Sequence, residues 1–167
     1  MAVSAWRVWL ARGAVVVAVV VVVLSLDRLW GYANTDDVTV IEQPELVTVA
    51  NAACARMLEA TATAAVATSA TISQRAGAIN AQDDAVTEMV STIRRLVPAD
   101  HLSADQPADQ WLEDWGRLVK ERDAYARSLA AGEPKEIVMP VVDGQSLEDR
   151  LNDVGLNCRV PRVLLAP

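Results

Sequence analysis

Hydrophobic positions in this chain change their spacing along its length. Residues 14–26 form an unbroken apolar run, AVVVAVVVVVLSL, in which eight of thirteen residues are valine. Thirteen residues fall short of the ~20 that cross the hydrocarbon of a bilayer, so the flanks decide the reading. Trp6 and Trp9 precede the run, and Trp30 and Tyr32 follow it. Trp9 and Trp30 are 21 positions apart, about 31 Å on a helix, which matches two aromatic belts at the faces of a membrane. The pattern predicts one transmembrane helix over residues 8–30, anchored at its interfaces by Trp6, Arg7, Trp9, Arg12, Trp30 and Tyr32.

Beyond the run the spacing becomes helical. Residues 34–43 (NTDDVTVIEQ) show no helical period and read as a tether. Pro44 is suited to a first helical turn, with Glu45 at the positive end of the helix dipole. From there, apolar or small residues recur at Leu46, Ala50, Cys54, Met57, Thr61, Ala65, Thr68, Ile72 and Ala76. Steps of four, four and three describe a straight seam on one face, predicting a helix from 44 to about 77. Its weak point is 63–69, where Thr and Ser lower helix propensity and where a bend or break is expected. Residues 77–82 fit a turn or a continuation. A second helix is predicted from Asp83 and Asp84, with Val86, Met89, Val90, Ile93, Leu96 and Val97 on its apolar face, ending at Pro98.

Residues 98–106 read as a connecting loop, and Pro107 begins a third helix. There Trp111, Trp115, Leu118, Arg122, Tyr125 and Leu129 share a stripe widened by Leu112, Val119 and Ala126. Glu113, Arg117, Glu121, Asp123 and Arg127 occupy the other face, and Gly132 with Pro134 stops the helix. Residues 135–142 are extended in character, Asp143 and Gly144 form a turn, and Ser146 with Asp149 resembles a capping box for a short helix ending at Gly155. The expected fold is all-α: an N-terminal transmembrane helix (1–33), a tether (34–43), and an extracytoplasmic three-helix bundle (44–167) with an extended C-terminal segment and a short helix.

Charge gives this plan a direction. Arg7 and Arg12 precede the valine run, whereas Asp27, Arg28, Asp36 and Asp37 follow it, so the positive-inside rule keeps the N-terminus cytoplasmic and the domain outside. The alternative is a secretory signal, with Gly31-Tyr32-Ala33 as a small-x-small triplet cut after Ala33. Both place the domain in the same compartment. Residues 34–167 carry twelve Lys or Arg against twenty-one Asp or Glu. Such a domain repels phosphate backbones, so the expected partners are the bilayer and another membrane or envelope protein, not nucleic acid. Cys54 and Cys158 are the two cysteines; outside the cytoplasm they are expected to pair.

Candidate chemistry is sparse, and neither a catalytic site nor a cofactor is expected. His101, the one histidine, stands with Asp100, Asp105 and Asp109, but without EF-hand or HExxH spacing, and Ser103 beside it lacks a nucleophile elbow. The acid neighbours Asp83–Asp84 and Glu113–Asp114 diverge on a helix rather than converge on a substrate. No Gly-rich phosphate loop occurs. Arg122 is the exception, a cation on an aromatic stripe. Either its head snorkels or pairs with an acid such as Glu88, or Trp111, Trp115, Arg122 and Tyr125 line a surface for a partner or small ligand. The core competes for the same residues, because they include all three aromatics beyond residue 33.

The chain has no Phe and prefers Asp and Arg to Asn and Lys, a composition that GC-rich genomes tend to encode. Its segment WLEDWGRLVKERDAYARSLAAG, with a distant C-R-V-P, resembles small uncharacterised single-pass membrane proteins of high-GC Gram-positive bacteria. The resemblance implies a cell-envelope setting and carries no activity or functional residue across.

Overall fold

In the computed structural model, residues 21–22 and 40–165 are described. The chain divides into two units, 1–37 and 38–167. Of the first, residues 21 and 22 are described, and both are helical. Trp6, Arg7, Trp9, Arg12, Trp30 and Tyr32 lie outside the described residues, as does the rest of the expected span. Among the described residues no helix is long and apolar enough to cross a membrane.

The second unit is mostly helical. Pro44 opens α1 (Pro44–Thr63), and the seam expected from spacing is the buried face: Leu46, Ala50, Cys54, Met57 and Thr61 are all inaccessible to solvent. The helix does not run to residue 77 but breaks at the weak point expected near 63–69. Thr61 and Thr63 turn their hydroxyls back onto the carbonyls of Leu58 and Glu59, a local competition that weakens helices. The chain leaves the helix after Thr63 and restarts as α2 (Ile72–Leu96). Thr71 and Gln74 form a full capping box there: Thr71 Oγ1 accepts from Gln74 N at 3.2 Å, and Gln74 Oε1 accepts from Thr71 N at 2.9 Å. This start moves Ile72 and Ala76 from the first helix to the second. It also puts Asp83, expected at a helix start, in mid-helix, on the stripe of Ile79, Val86 and Ile93 that faces the interior.

Residues 99–104 differ from the expected loop, forming the short α3 (Ala99–Ala104) with Leu102 buried. Next, α4 (Gln106–Ala130) follows prediction closely, burying Trp111, Leu112, Trp115, Leu118, Arg122, Ala126 and Leu129. It ends in a Schellman motif: Gly132 N donates to Leu129 O, Glu133 N donates to Ser128 O, and Gly132 takes φ of 77°. An extended arm leads to a two-residue hairpin, β1 (Val141–Val142) and β2 (Gln145–Ser146). Asp143 and Gly144 both have positive φ, as a type I′ turn requires. Ser146 caps α5 (Leu147–Asn152), and α6 (Arg162–Leu165) closes the described chain.

Packing makes α2 central, with α1 and α4 both against it, α5 on α4 and α6 on α1. The tether expected over 34–43 is shorter than its composition implied. Ile41 is buried in the core, and its N–H donates to Val154 O at 3.0 Å. Asp105 Oδ2 accepts from the N–H groups of Glu42 and Gln43 just ahead of α1, where a carboxylate suits the helix dipole. Cys54 and Cys158 form a disulfide, with Cα atoms 5.7 Å apart, that ties the C-terminal segment to the middle of α1. Two asparagine side chains assist: Asn51 Oδ1 accepts from Asn157 N, and Asn152 Oδ1 accepts from Val160 N.

Candidate functional site

The stripe of α4 brings its two indoles together edge to face, with centroids 6.1 Å apart and planes at 86°. Trp111 is 1% exposed and Trp115 0%. Trp111 Nε1 donates to Leu151 O at 3.2 Å, giving a partner to a carbonyl that the short α5 leaves orphaned. Trp115 Nε1 is buried without a partner. Tyr125 is half-buried against a small cluster of Ile79, Ala126 and Leu129. The expected surface of Trp111, Trp115, Arg122 and Tyr125 is therefore not an exposed one. With no Phe in the chain, the indoles supply the volume that the interior needs.

Arg122 has 0% exposure and organises the charged interior. Its acid is Asp83, not Glu88: Nε donates to Asp83 Oδ1 at 2.5 Å. Nη2 donates to Gln82 Oε1 at 2.6 Å, and Nη1 to Leu164 O at 2.6 Å. One guanidinium thus joins α4 to α2 and to the C-terminal α6. Glu88 points to solvent, where it accepts from Thr92 Oγ1 and lies near Arg95. Burial pushes the Asp83 carboxyl above its ordinary value, against the pull of the Arg122 hydrogen bond. Its Oδ2 is buried and accepts nothing, so the loss of water is only half offset.

A second buried carboxylate, Asp114, is shared by Arg117 at 2.5 Å and Arg150 at 2.7 Å. Asp114 and Arg150 line a cleft of about 210 Å³ with Trp111, Gln110 and Gln145, a cleft that Trp115 does not reach. The two ion pairs leave Asp114 satisfied. His101 stands apart, its Nδ1 3.5 Å from Glu45 Oε2, and Asp105 is occupied at the start of α1. Among the described residues no group of three or more His, Cys, Asp or Glu could hold a metal ion.

Among the described residues the large apolar side chains most open to water lie elsewhere, on the arm that leads from α4 into the hairpin. Val138 is 71% exposed and Val141 70%. The sequence marks this arm as extended, with Pro140 limiting any strand to an edge or a loop, but does not mark it as a surface. Its signal was there in the β-branched IVMPVV stretch (137–142), which no helix periodicity claims. No known protein family, curated protein or solved structure matches the chain.

Proposed function

We propose that this protein is a membrane-anchored, extracytoplasmic helical module without enzymatic activity that docks another envelope or membrane protein. The observation that carries the reading is the arm. Val138, and Val141 in the short strand β1, expose apolar side chains, and among the described residues β1 pairs on one side only. A strand edge with β-branched side chains is a template for added backbone pairing. The disulfide and Arg122 tie the helices of the domain to its C-terminal segment. The anchoring half of the proposal rests on the valine run, its aromatic flanks and its arginines. A disulfide joining residues 104 positions apart suits an oxidising compartment.

The lesser reading, a small-ligand pocket at the tryptophans, has Trp111 alone on its wall and polar groups already engaged with each other. Site-specific photocrosslinking in native membranes tests the docking proposal. A crosslinker at Val138 is expected to yield one discrete adduct that Val141→Glu abolishes, while the same group at exposed Glu59 yields none. Equal labelling from both positions, or none from Val138, overturns it. Intact mass of the mature protein separates a retained anchor from cleavage after Ala33.

A further inference from the structure

A second cleft, of about 260 Å³, opens where the chain passes between α1 and α2, and it is a separate matter from the arm. Val66, Ala78, Ile79 and Val163 supply its apolar wall. Its polar lining is Thr68, Arg75 and Gln82, and among the described residues no carboxylate lines it. That is unusual in a domain with so large an acidic excess.

Two of the polar groups are held with unused donors. Gln82 is only 3% exposed, and its Oε1 is committed to Arg122 Nη2 at 2.6 Å. That bond commits the carbonyl end of the amide, so its NH2 group is the end left to donate at the cleft wall. Arg75 Nε is likewise buried with no acceptor, and no acid among the described residues forms an ion pair with Arg75. A buried donor left unmade is costly. A ligand that relieves Arg75 Nε is an acceptor with negative charge, one that the Gln82 NH2 can share, while the rest of the wall favours a short aliphatic body.

We propose that this cleft binds a small monocarboxylate with a short aliphatic tail, its carboxylate accepting from Arg75 and Gln82 and its tail lying against Val66, Ile79 and Val163. The volume of about 260 Å³ lies just below the roughly 300–1,000 Å³ of ordinary small-molecule sites and suits a short tail. Two features select the ligand. The single unpaired cation sets the charge, and the apolar wall sets the tail.

The test is a titration of the full chain in lipid nanodiscs with sodium hexanoate, read by the ¹⁵N NMR signals of the Arg75 Nε–H and the Gln82 side-chain amide. Saturable shifts of both signals are expected, with hexan-1-ol and sodium acetate each binding at least tenfold more weakly. Arg75→Gln is expected to weaken hexanoate binding by tenfold or more, and Ala78→Leu, which fills the cleft, to remove it. The near-ultraviolet signal of the buried tryptophans reports whether each variant is folded. If either fails to fold, the comparison of three ligands on the unmodified chain decides. Absence of saturation, equal binding of hexanol, equal binding of acetate, or undiminished binding by the folded variants overturns the proposal.

Discussion

Replacing Arg122 with Met keeps the length of the side chain and removes its charge and every donor. Asp83 then remains buried with no counter-charge, a loss that costs about 3–5 kcal/mol in comparable buried pairs. Gln82 Oε1 and Leu164 O also lose their donor, at about 1 kcal/mol or more each, so Arg122→Met should destabilise the domain by roughly 5 kcal/mol. In Asp83→Leu, Arg122 keeps Gln82 and Leu164 as acceptors but loses its counter-charge, and roughly 3 kcal/mol is expected. The double variant removes both charges and leaves only the two orphaned acceptors, for a cost of about 2 kcal/mol. It should therefore be more stable than either single variant, with a coupling energy of about 6 kcal/mol. Urea unfolding of the full chain, followed by tryptophan fluorescence, measures all three. An Arg122→Met cost below about 1 kcal/mol, or single-variant costs that simply add, would refute the reading of Arg122 as the joint between α2, α4 and α6. The same comparison has a pH signature. Burial raises the Asp83 carboxyl above 3.8, so the folded chain holds that proton more tightly than the unfolded one. The contribution of Asp83 to stability is then fully present below 3.8 and falls as pH rises through the raised value. The stability of the unmodified chain minus that of the double variant should decline with rising pH across that window, and a rise would contradict the assignment.

Three further outcomes follow from the packing. Replacing Cys54 and Cys158 with Ala opens a link across 104 residues and should cost about 2–5 kcal/mol, read as a lowered urea midpoint that reducing agent reproduces in the unmodified chain. Trp111→Phe should cost about 1 kcal/mol more than Trp115→Phe, because only the Trp111 indole satisfies a carbonyl, that of Leu151; equal midpoints would show that this bond contributes nothing. Gly155 has φ of 75°, and a Cβ there would stand 2.6 Å from Val40 Cγ1. Gly155→Ala should therefore lower the melting temperature by several degrees, on the order of 1–2 kcal/mol of strain and displacement, and an unchanged melting temperature would count against the contact.

What local chemistry specifies could be read directly from the residues. The α4 stripe, the α1 seam as far as Thr61, the Asp143-Gly144 turn and the Ser146 cap each depend on neighbours a few positions away, and each is where its pattern placed it. The disulfide was legible because two cysteines allow one intramolecular pairing. The start of α2 was also written locally, in Thr71 and Gln74, but the periodic seam from α1 continued past it and masked the signal. The seam alone sets Asp83 at a helix start, whereas a helix beginning at Ile72 puts it on the buried stripe, within reach of Arg122. Only the tertiary structure could choose between Asp83 and Glu88, because that choice depends on how α2 and α4 are rotated against each other. The same holds for the tryptophans, since an interior and a docking surface demand the same side chains, and only packing reveals which one has them. With so few aromatics in the chain, the interior took both indoles, and among the described residues the most exposed large apolar side chains are the valines of the arm.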